Sequence, residues 1–395
     1  MMKNTIFSQL TNFVSPFKFQ RISEIYGNEK YVKRFDGFTH LKVLLLSQIK
    51  GYTSLRSIEI GLKSRLSKLY HMGIQRDVKR STLSDANNKR DPKALRDIFF
   101  DVLKKCKPIA PKHKFKFSNE FYSLDATVIS LCLTLCQWAK HRKRKSAVKI
   151  NTLLNHKGNI PDFVTITSAK YHDSKVLDER YLTGLTPGSI IAMDKGYIKF
   201  KWFYALTCHG IFFITRAKRN MNFKVVKRQK KLKNKGILKD NIIELCGFYQ
   251  KRDYPKVLRQ IKYKDAETGK IYEFLTNNFE LSSRTIADCY KERWQIELFF
   301  KWIKQHLKVK KFIGNSERAI QFQIWTALIY YVLLSYLKFQ SKWKYTLLEI
   351  SRTLREKTEE RLSIWNLFDS SRKFMREKFQ NPAQIELFKP ILTGH

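Results

Sequence analysis

Apolar residues recur at helical spacing over residues 1–110, which predicts a helical N-terminal segment. One apolar face leads up to Gly51, a residue typical of helix ends, and consists of Leu41, Leu44, Leu45 and Ile49. Ser54 predicts the cap of a second helix, a third begins near 81–82, and Asp91 followed by Pro92 predicts a fourth. Short helices with basic faces suit a DNA-binding module of helix-turn-helix type, but an ordinary helical bundle has the same periodicity.

Short apolar runs bounded by turns replace the helical spacing between residues 111 and 216. Strands are predicted at 121–124, 148–154, 163–168, 189–193 and 211–215, with helices near 174–181 and 201–207. Strands and helices mixed in this way predict an α/β core.

Residues 217–280 read as a β-rich insertion into that core. Strand-like runs occur at 241–245, 257–263 and 271–276, and a turn is predicted at Thr268-Gly269. Helical spacing returns at Ser282 and continues to about Phe379. The predicted organisation is a helical domain at 1–110, an α/β domain at 111–340 with the insertion at 217–280, and C-terminal helices at 341–395.

Charge changes this picture more than any other part of the composition. The 395 residues include 77 Lys and Arg against 34 Asp and Glu, a net charge of +43. Lysine drift in an AT-rich genome explains part of such a surplus, but a charge of this size repels itself unless a polyanion neutralises it. Nucleic acid is therefore favoured as a partner over a membrane surface. The basic runs at 140–145 and 224–239 are interpreted as DNA contacts or as solvated loops.

Other classes of protein are disfavoured. A hydrophobic fraction of 43% excludes a mostly disordered chain. Cys132 and Cys136 lie near His141, but no second pair completes a zinc site, so both are interpreted as buried thiols. The N-terminus lacks the pattern of a signal peptide, and the most apolar stretch, 324–337, is too short to span a bilayer. We therefore expect a soluble, cytoplasmic protein.

Two carboxylates each follow an apolar strand. Asp125 comes after 121–124 and Asp194 after 189–193. Such a side chain faces the crevice outside the sheet, where open α/β folds bind ligands. A loop acid or a helix cap is the alternative interpretation of either residue taken singly.

A third carboxylate lies on a predicted helix that begins before Tyr290. At 100° per residue, Tyr290, Arg293, Glu297 and Lys304 fall within a stripe of about 60°, and Trp294 flanks it. Apolar residues cover the other side of the helix. One acid among cations and aromatics suits a metal ion bound beside a phosphate, whereas a solvated face of an amphipathic helix is the alternative.

Three carboxylates can hold two divalent cations that act on a phosphodiester. Mg²⁺ suits such a site because it prefers oxygen ligands and needs few carboxylates. Arginine and lysine on the same face would then bind the flanking phosphates.

These residues together resemble a known family. The order Asp125, Asp194, Glu297 is similar to the acidic triad of DDE transposases. The spacing Tyr290-x2-Arg293-x3-Glu297-x6-Lys304 resembles the Tyr–Arg–Glu–Lys signature of bacterial insertion-sequence transposases of the IS-four type. The resemblance covers about residues 115–340, and the first 75 or so residues are similar to the helical segment that precedes the catalytic domain in one branch.

The resemblance implies an RNase H-like core with the first Asp on its first strand, the second Asp after its fourth and the Glu on a late helix. It implies that Asp125, Asp194 and Glu297 are catalytic residues and ligands of two Mg²⁺ ions, with Mn²⁺ as a substitute. It also implies phosphate contacts for Tyr290, Arg293 and Lys304, and a base contact for Trp294. Members cut the element ends, form a DNA hairpin, reopen it and join the 3′ ends to target DNA.

The implied partners are double-stranded DNA, as terminal inverted repeats and as target, and a second copy of the chain. Helices at 341–395 are a candidate dimer surface, residues 1–110 a candidate DNA-binding domain, and the bacterial nucleoid the expected location. Some members stack a flipped base on a tryptophan of the insertion, but residues 217–280 contain none. The aromatic residues that could replace it are Phe223, Phe248, Tyr249 and Tyr254.

Two further interpretations stay open. An RNase H-like nuclease that cuts without joining would use the same triad. A non-catalytic DNA-binding protein derived from a transposase would keep the charge without needing the acids. His172 and Asp173 follow a predicted strand and are candidate neighbours of the site, or a surface turn.

Overall fold

The computed structural model describes residues 4–131, 136–142, 145–168, 184–219, 221–229, 236–306 and 312–368. Its helices are α1 Ile6–Thr11, α2 Pro16–Ile25, α3 Gly37–Lys50, α4 Leu55–Lys63, α5 Leu66–Leu69, α6 Arg80–Lys89, α7 Lys93–Cys106, α8 Phe200–Cys208, α9 Phe248–Asp253, α10 Ser283–Glu292, α11 Trp294–His306, α12 Glu317–Ser341 and α13 Leu347–Lys357. Its strands are β1 Phe121–Leu131, β2 Lys140–Arg142, β3 Lys145–Asn155, β4 Ile160–Ser168, β5 Ile190–Met193, β6 Phe212–Arg216, β7 Phe223–Arg228, β8 Ile237–Leu245, β9 Leu258–Lys264 and β10 Ile271–Thr276.

The described chain divides into two compact units. The helical unit takes the described residues of Met1–Cys106, Phe312–Gly314 and Arg318–His395, and the sheet unit those of Lys107–Lys311 and Asn315–Glu317. The long helix α12 therefore groups with the N-terminal helices, although the sequence placed it in the α/β domain. DNA binding by residues 1–110 and dimerisation through 341–395 stay predictions.

Local capping signals explain where the N-terminal helices begin and end. Asp36 accepts a hydrogen bond from the backbone N–H of Thr39 at the start of α3, and Gly51 ends that helix with a φ of 75°. Ser54 and Ser57 form a reciprocal capping box at the start of α4. The helix starts predicted at Ser54 and after Asp91-Pro92 and the helix end predicted at Gly51 are confirmed.

The helical unit packs around α12. Trp325 contacts Phe99 with ring centroids 5.5 Å apart, and Phe322 contacts the ring of His40 at 4.9 Å. The helix is longer than the apolar stretch seen in the sequence, and by length and composition it could cross a membrane. However, 89% of its most apolar window is buried inside the protein, as expected for the core helix of a soluble protein.

The described strands form one mixed sheet in the order β2-β3-β1-β5-β6-β10-β9-β8-β7, with β4 also paired to β3. Strands β1, β5 and β6 are parallel to one another, and β3 and β4 are antiparallel to their neighbours. The order β4-β3-β1-β5-β6 with these directions is that of an RNase H-like core, so the expected fold class is confirmed.

The insertion continues this sheet instead of forming a separate layer. Strand β10 pairs with β6, and β9, β8 and β7 follow outward. Strand β7 was not predicted from the sequence. Its side chains are mostly exposed, and its residues, Phe-Lys-Val-Val-Lys-Arg, do not alternate between apolar and polar.

Strand β1 is longer than the sequence indicated. It continues past Asp125 to Leu131, because β3 pairs with it in an unbroken register from Tyr122↔Asn155 to Leu131↔Ser146. Partner strands can extend a strand through polar positions that carry no apolar signal.

Several expectations lie outside the described residues. These are the helix at 174–181, the pair His172 and Asp173, the thiol of Cys132 and the chain beyond 368. The basic runs are described only in part, without the side chains of 140–145 or residues 230–235. Cys136 is buried, as are Cys106 and Cys289, whereas Cys208 and Cys246 are exposed.

A buried ion pair holds the insertion together. The guanidinium of Arg259 donates two hydrogen bonds to Asp240, at 2.9 and 2.8 Å, and the side chains are 4% and 3% exposed. Arg259 also donates to the carbonyl oxygen of Leu281 just before α10. The pair therefore links β8, β9 and the turn that leads to the late helices.

We predict that Arg259→Ala destabilises the sheet unit by about 3–5 kcal/mol, because it leaves the Asp240 carboxylate buried without a counter-charge. Denaturant unfolding, followed by hydrogen exchange of β8 and β9, measures the effect. The matched control is Arg252→Ala, which breaks an ion pair with Asp253 whose side chains are 61% and 32% exposed. That change should cost about 0–1 kcal/mol, and an equal loss in both variants would contradict the prediction.

Candidate active site

Strand register brings the two aspartates together. Strands β1 and β5 run parallel with Leu124 opposite Met193, so Asp125 and Asp194 are the next positions on neighbouring strands. Paired strands lie about 4.8 Å apart. The two carboxylates therefore start from adjacent points where β5 ends, with Asp194 directly after β5 and Asp125 within β1, not at its end as the sequence predicted.

Side-chain alternation puts both acids on one face. Phe121, Ile190, Ala192 and Ile214 belong to the hydrophobic core on that face, whereas Leu124 and Met193 belong to the core on the other. Asp125 and Asp194 have the parity of the first group. Helix α10 packs on the same face through Ile286, Ala287, Cys289 and Tyr290.

The signature residues span two helices, although the sequence predicted one. Helix α10 ends at Glu292 and α11 begins at Trp294. Arg293 keeps helical backbone angles, but its N–H donates to the carbonyl oxygen of Tyr290, three residues back instead of four. This tightened turn leaves Arg293 and Glu297 on the side that faces β1.

Arg293 joins two of the predicted acids. One terminal nitrogen of its guanidinium donates to Oδ2 of Asp125 at 2.9 Å, and the other to Oε1 of Glu297 at 2.7 Å. The arginine side chain is 12% exposed. We call this arrangement of Asp125, Arg293 and Glu297 the guanidinium bridge.

Arg216 is a site residue that the sequence analysis missed. It ends β6 with the same parity as Ile214, and it donates to Oδ1 of Asp194 at 2.8 Å. Its guanidinium also lies 5.9 Å from the ring centroid of Tyr290. The available signal was an arginine at the end of an apolar strand, just as Asp194 ends the strand before it.

The two aspartates have opposite electrostatic environments. Burial raises the pKa of Asp125 to about 6, against the lowering effects of its hydrogen bond from the Ala126 N–H and of Arg293, and the charges of Glu297 and Asp194 raise it further. Burial also acts to raise the pKa of Asp194, but hydrogen bonds from Arg216 and from the N–H of Gly196 hold it below its usual value. Asp125 therefore interacts electrostatically with both other acids.

The donor chemistry of the three acids fits a divalent cation. All three offer carboxylate oxygens, and the negative charges of Glu297 and Asp194 both act on Asp125. Among the described residues, however, no group of three His, Cys, Asp or Glu side chains could hold a metal ion as placed. Arg293 donates a hydrogen bond to one oxygen each of Asp125 and Glu297.

The remaining signature residues differ in how far they are buried. Tyr290 is buried, and burial raises the pKa of its phenol, while Arg293 lies 5.6 Å from its ring centroid. Trp294 is 57% exposed. Lys304 is half-buried on α11.

An aromatic cleft of about 760 Å³ opens beside the bridge. Charged side chains of both signs also line it, which are Lys114, Arg216, Asp265, Glu267, Asp288, Lys291, Glu292 and Arg293. We name it by its aromatic residues, which are Phe115, Tyr263, Tyr272, Phe274, Tyr290 and Trp294.

A cationic cleft of about 850 Å³ borders Asp194, and Arg216 and Tyr272 line both clefts. Its basic residues are Lys195, Arg216, Lys218, Arg219, Lys262 and Lys270. Apart from Arg216, none of these cations forms a salt bridge within the part of the chain that the structure describes. Repulsion within a cluster of unpaired cations favours the binding of an anionic partner.

The aromatic candidates within the insertion separate by burial. Tyr254 is 1% exposed and belongs to the core, so it offers no face to a base. Phe223 is half-buried and packs against the same core. Phe248 and Tyr249 are 78% and 69% exposed on α9.

Two family descriptions match the chain. The transposase DDE domain matches residues 116–333, which include all the predicted site residues. A domain of unknown function (DUF4372) matches residues 2–75, within the helical unit.

Curated relatives of the chain carry transposase names. The chain is 34% identical over 215 residues to the transposase y4zB of Sinorhizobium fredii, a match that covers 53% of this chain and 59% of the relative. The match with this chain therefore spans less than two thirds of the length of that relative. It is 26% identical over 346 residues to a transposase for insertion sequence element IS5377 of Geobacillus stearothermophilus, covering 87% of each chain. A transposase for element IS4SA of Synechocystis is 26% identical over 309 residues, covering 77% of this chain and 85% of the relative.

Among solved structures, the chain is similar to the cryo-EM structure of a piggyBac transposase synaptic complex with hairpin DNA. The TM-score is 0.43 at 9% identity, over 98% of this chain and 82% of that one.

We predict that Asp125 makes stability depend on pH. Because its folded pKa of about 6 exceeds the ordinary 3.8, its stabilising contribution is complete below about pH 4 and is lost as the pH rises through 6. Asp125→Asn, which stays neutral, should therefore gain about 3 kcal/mol over the wild type between about pH 4 and pH 8. Urea unfolding of both proteins at each pH measures this, and a constant difference would contradict it.

Proposed function

This chain belongs to the transposase DDE-domain family, and we propose that it is a DNA transposase of the IS-four type that cuts the ends of an insertion element and joins them to target DNA. The observation that carries the proposal is the meeting of Asp125, Asp194 and Glu297 with two arginines on one face of the sheet. Their spacing in the sequence supports the IS-four assignment.

We assign the three acids as ligands of two Mg²⁺ ions, for which Mn²⁺ can substitute. When bound, the ions activate a water or a 3′ hydroxyl and stabilise the leaving oxygen of a phosphodiester. Arg216 keeps Asp194 ionised and oriented, and the buried ring of Tyr290 supports both arginines. Arg293 and Lys304 bind phosphates next to the bond that breaks.

We assign the two clefts to different parts of the DNA, according to the side chains that line them. The aromatic cleft offers ring faces, with Trp294 at its exposed side, and suits an unstacked base. The cationic cleft offers amines beside Asp194 and suits the phosphates of the same DNA. A base held outside the helix would leave room for the strand to fold back into a hairpin, the intermediate that we propose.

We further propose that the chain acts on the bacterial nucleoid as a homodimer, one copy for each element end. Residues 1–110 would bind the terminal inverted repeats, and 341–395 would form the dimer surface. The net charge of +43 supports a polyanionic substrate. The alternatives are an RNase H-like nuclease without strand transfer and a DNA-binding protein without catalysis. The following experiment distinguishes the proposal from both.

We predict that Glu297→Ala abolishes cleavage and leaves DNA binding largely intact, since the acid acts on the reacting phosphate and the cations provide the affinity. A labelled fragment with the DNA that flanks the gene is incubated with Mg²⁺ and run on a denaturing gel. Wild type should cut at the element boundary and give a hairpin-sized band and joined products. Glu120→Ala, an acid that pairs with Lys157 and lines neither cleft, is the matched acidic control and should cut normally.

Each result decides between the candidates. Cleavage by Glu297→Ala would show that the acid is wrongly assigned. Cleavage by wild type that ignores the boundary and gives no joined product would indicate the nuclease. Tight, salt-sensitive binding with no cleavage would indicate the DNA-binding protein.

We also predict that the double change Lys218→Gln and Lys270→Gln weakens DNA binding and lowers its salt dependence. Each lost phosphate contact should reduce the slope of log affinity against log salt by roughly 0.9. The matched control is Lys224→Gln with Lys251→Gln, which removes the same charge from cations of the insertion that Glu244 already pairs. Equal slopes for the two double variants would rule out specific contacts in the cationic cleft.

A further inference from the structure

The guanidinium bridge places a fixed cation between two proposed metal ligands. Arg293 reaches Asp125 at 2.9 Å and Glu297 at 2.7 Å through different nitrogens, so a single planar group holds both carboxylates. Its side chain is 12% exposed, and those of the acids are 23% and 33% exposed. Ion pairs with this little exposure are weakly screened by salt.

The bridge and a divalent cation compete for the same two carboxylates. Arg293 donates to Oδ2 of Asp125 and to Oε1 of Glu297, and the N–H of Ala126 donates to Oδ1 of Asp125, so both oxygens of Asp125 are hydrogen-bonded. A metal ion shared by the two acids would also meet the positive charge of Arg293. Metal binding by both acids is therefore favoured when Arg293 moves away.

Arg293 has an alternative partner within reach. Its side chain lines the aromatic cleft, which is open to solvent. A phosphodiester presents two oxygens in the geometry that a guanidinium binds in a bidentate manner, as a carboxylate does. A DNA phosphate entering the cleft can thus replace the acids as the partner of Arg293.

The exchange has a cost that a metal ion offsets. When Arg293 leaves, Asp125 and Glu297 lose their counter-charge close to each other and to Asp194. The side chains of Asp125 and Glu297 are only 23% and 33% exposed, so water and salt screen their mutual repulsion only in part. A divalent cation restores the balance, so each ligand makes the other easier to bind.

We infer that Arg293 is a switch that couples DNA binding to metal binding, closing the guanidinium bridge in the chain alone and opening it when a DNA phosphate binds the guanidinium. This inference rests on the proposed function, since it takes Asp125 and Glu297 as metal ligands and DNA as substrate. Its consequence is that the cation enters an assembled DNA complex in preference to the free protein, which protects unrelated DNA from cleavage.

Mn²⁺ binding to the full-length protein, counted by electron paramagnetic resonance, tests the switch without any catalysis. The DNA is a precut element-end duplex with a 3′-dideoxy terminus, which can neither be cut nor joined. For wild type we expect the duplex to tighten Mn²⁺ binding roughly 5–150-fold, the usual range of such coupling. By linkage, Mn²⁺ should tighten duplex binding by the same factor.

The variant Arg293→Lys tests the planar guanidinium separately from its positive charge. Lysine keeps the positive charge but lacks the planar fork that holds two carboxylates at once. We expect it to bind Mn²⁺ at least about 5-fold more tightly than wild type in the absence of DNA, with little further gain from the duplex. Arg284→Lys is the matched control, because Arg284 on α10 also pairs with an acid four residues away, Asp288. It should behave like wild type.

The outcomes distinguish this inference from the proposed function. If Asp125→Asn and Glu297→Gln leave Mn²⁺ binding unchanged, the metal site itself is wrong and the function proposal fails. If those variants lose Mn²⁺ but Arg293→Lys matches wild type, the switch alone is overturned. Arg293→Gln provides a second variant should the lysine protein fail to fold, and it too must bind Mn²⁺ more tightly than wild type without DNA. A duplex that does not bind would overturn the DNA-dependent half of the switch.

Discussion

Successive side chains of a β-strand point to opposite faces of the sheet, and the candidate site depends on that alternation. Asp125, Asp194 and Arg216 end up on one face because each continues the alternation of core residues on its strand, which are Phe121 four positions before Asp125, Ala192 two before Asp194 and Ile214 two before Arg216. A shift of one residue in the pairing of β5 would send Asp194 to the opposite face, with an aliphatic side chain in its place. The register of the strands therefore determines which side chains lie in the candidate site as well as which side chains pack in the core.

The face that carries these charges is also the face on which α10 packs. Tyr290 contributes to both roles, because its ring is part of the hydrophobic core and lies against Arg216 and Arg293. The helix is thus held by apolar burial, and the arginine that follows it is delivered to Asp125. Stability and site geometry rest on the same contacts, so substitutions at Tyr290 cannot be interpreted as changes of a phosphate contact alone.

Extending the sheet through the insertion explains why two unlike clefts lie side by side. Strand β10 pairs with β6 so that Phe274 lies opposite Arg216, and Tyr272, two residues before Phe274 on β10, borders both clefts together with that arginine. The aromatic side suits a base and the cationic side suits phosphates. An insertion folded as a separate lobe would have left the edge of β6 unpaired and Arg216 without these neighbours.

The sequence by itself determined the capped ends of helices in the N-terminal part and the order of the three candidate acids, since caps, apolar runs and the spacing of Tyr290, Arg293 and Glu297 are local signals. It did not determine that β1 continues past Asp125, that the helix tightens at Arg293 or that β7 is a strand, because pairing partners distant in the chain decide each of these. Arg216 was overlooked for the same reason: an arginine at a strand end is ordinarily a solvated cation. Only the tertiary structure, through strand register, sets that arginine against Asp194 and sets Arg293 between two acids, since a counter-charge acts through distance in space and not through position in the chain.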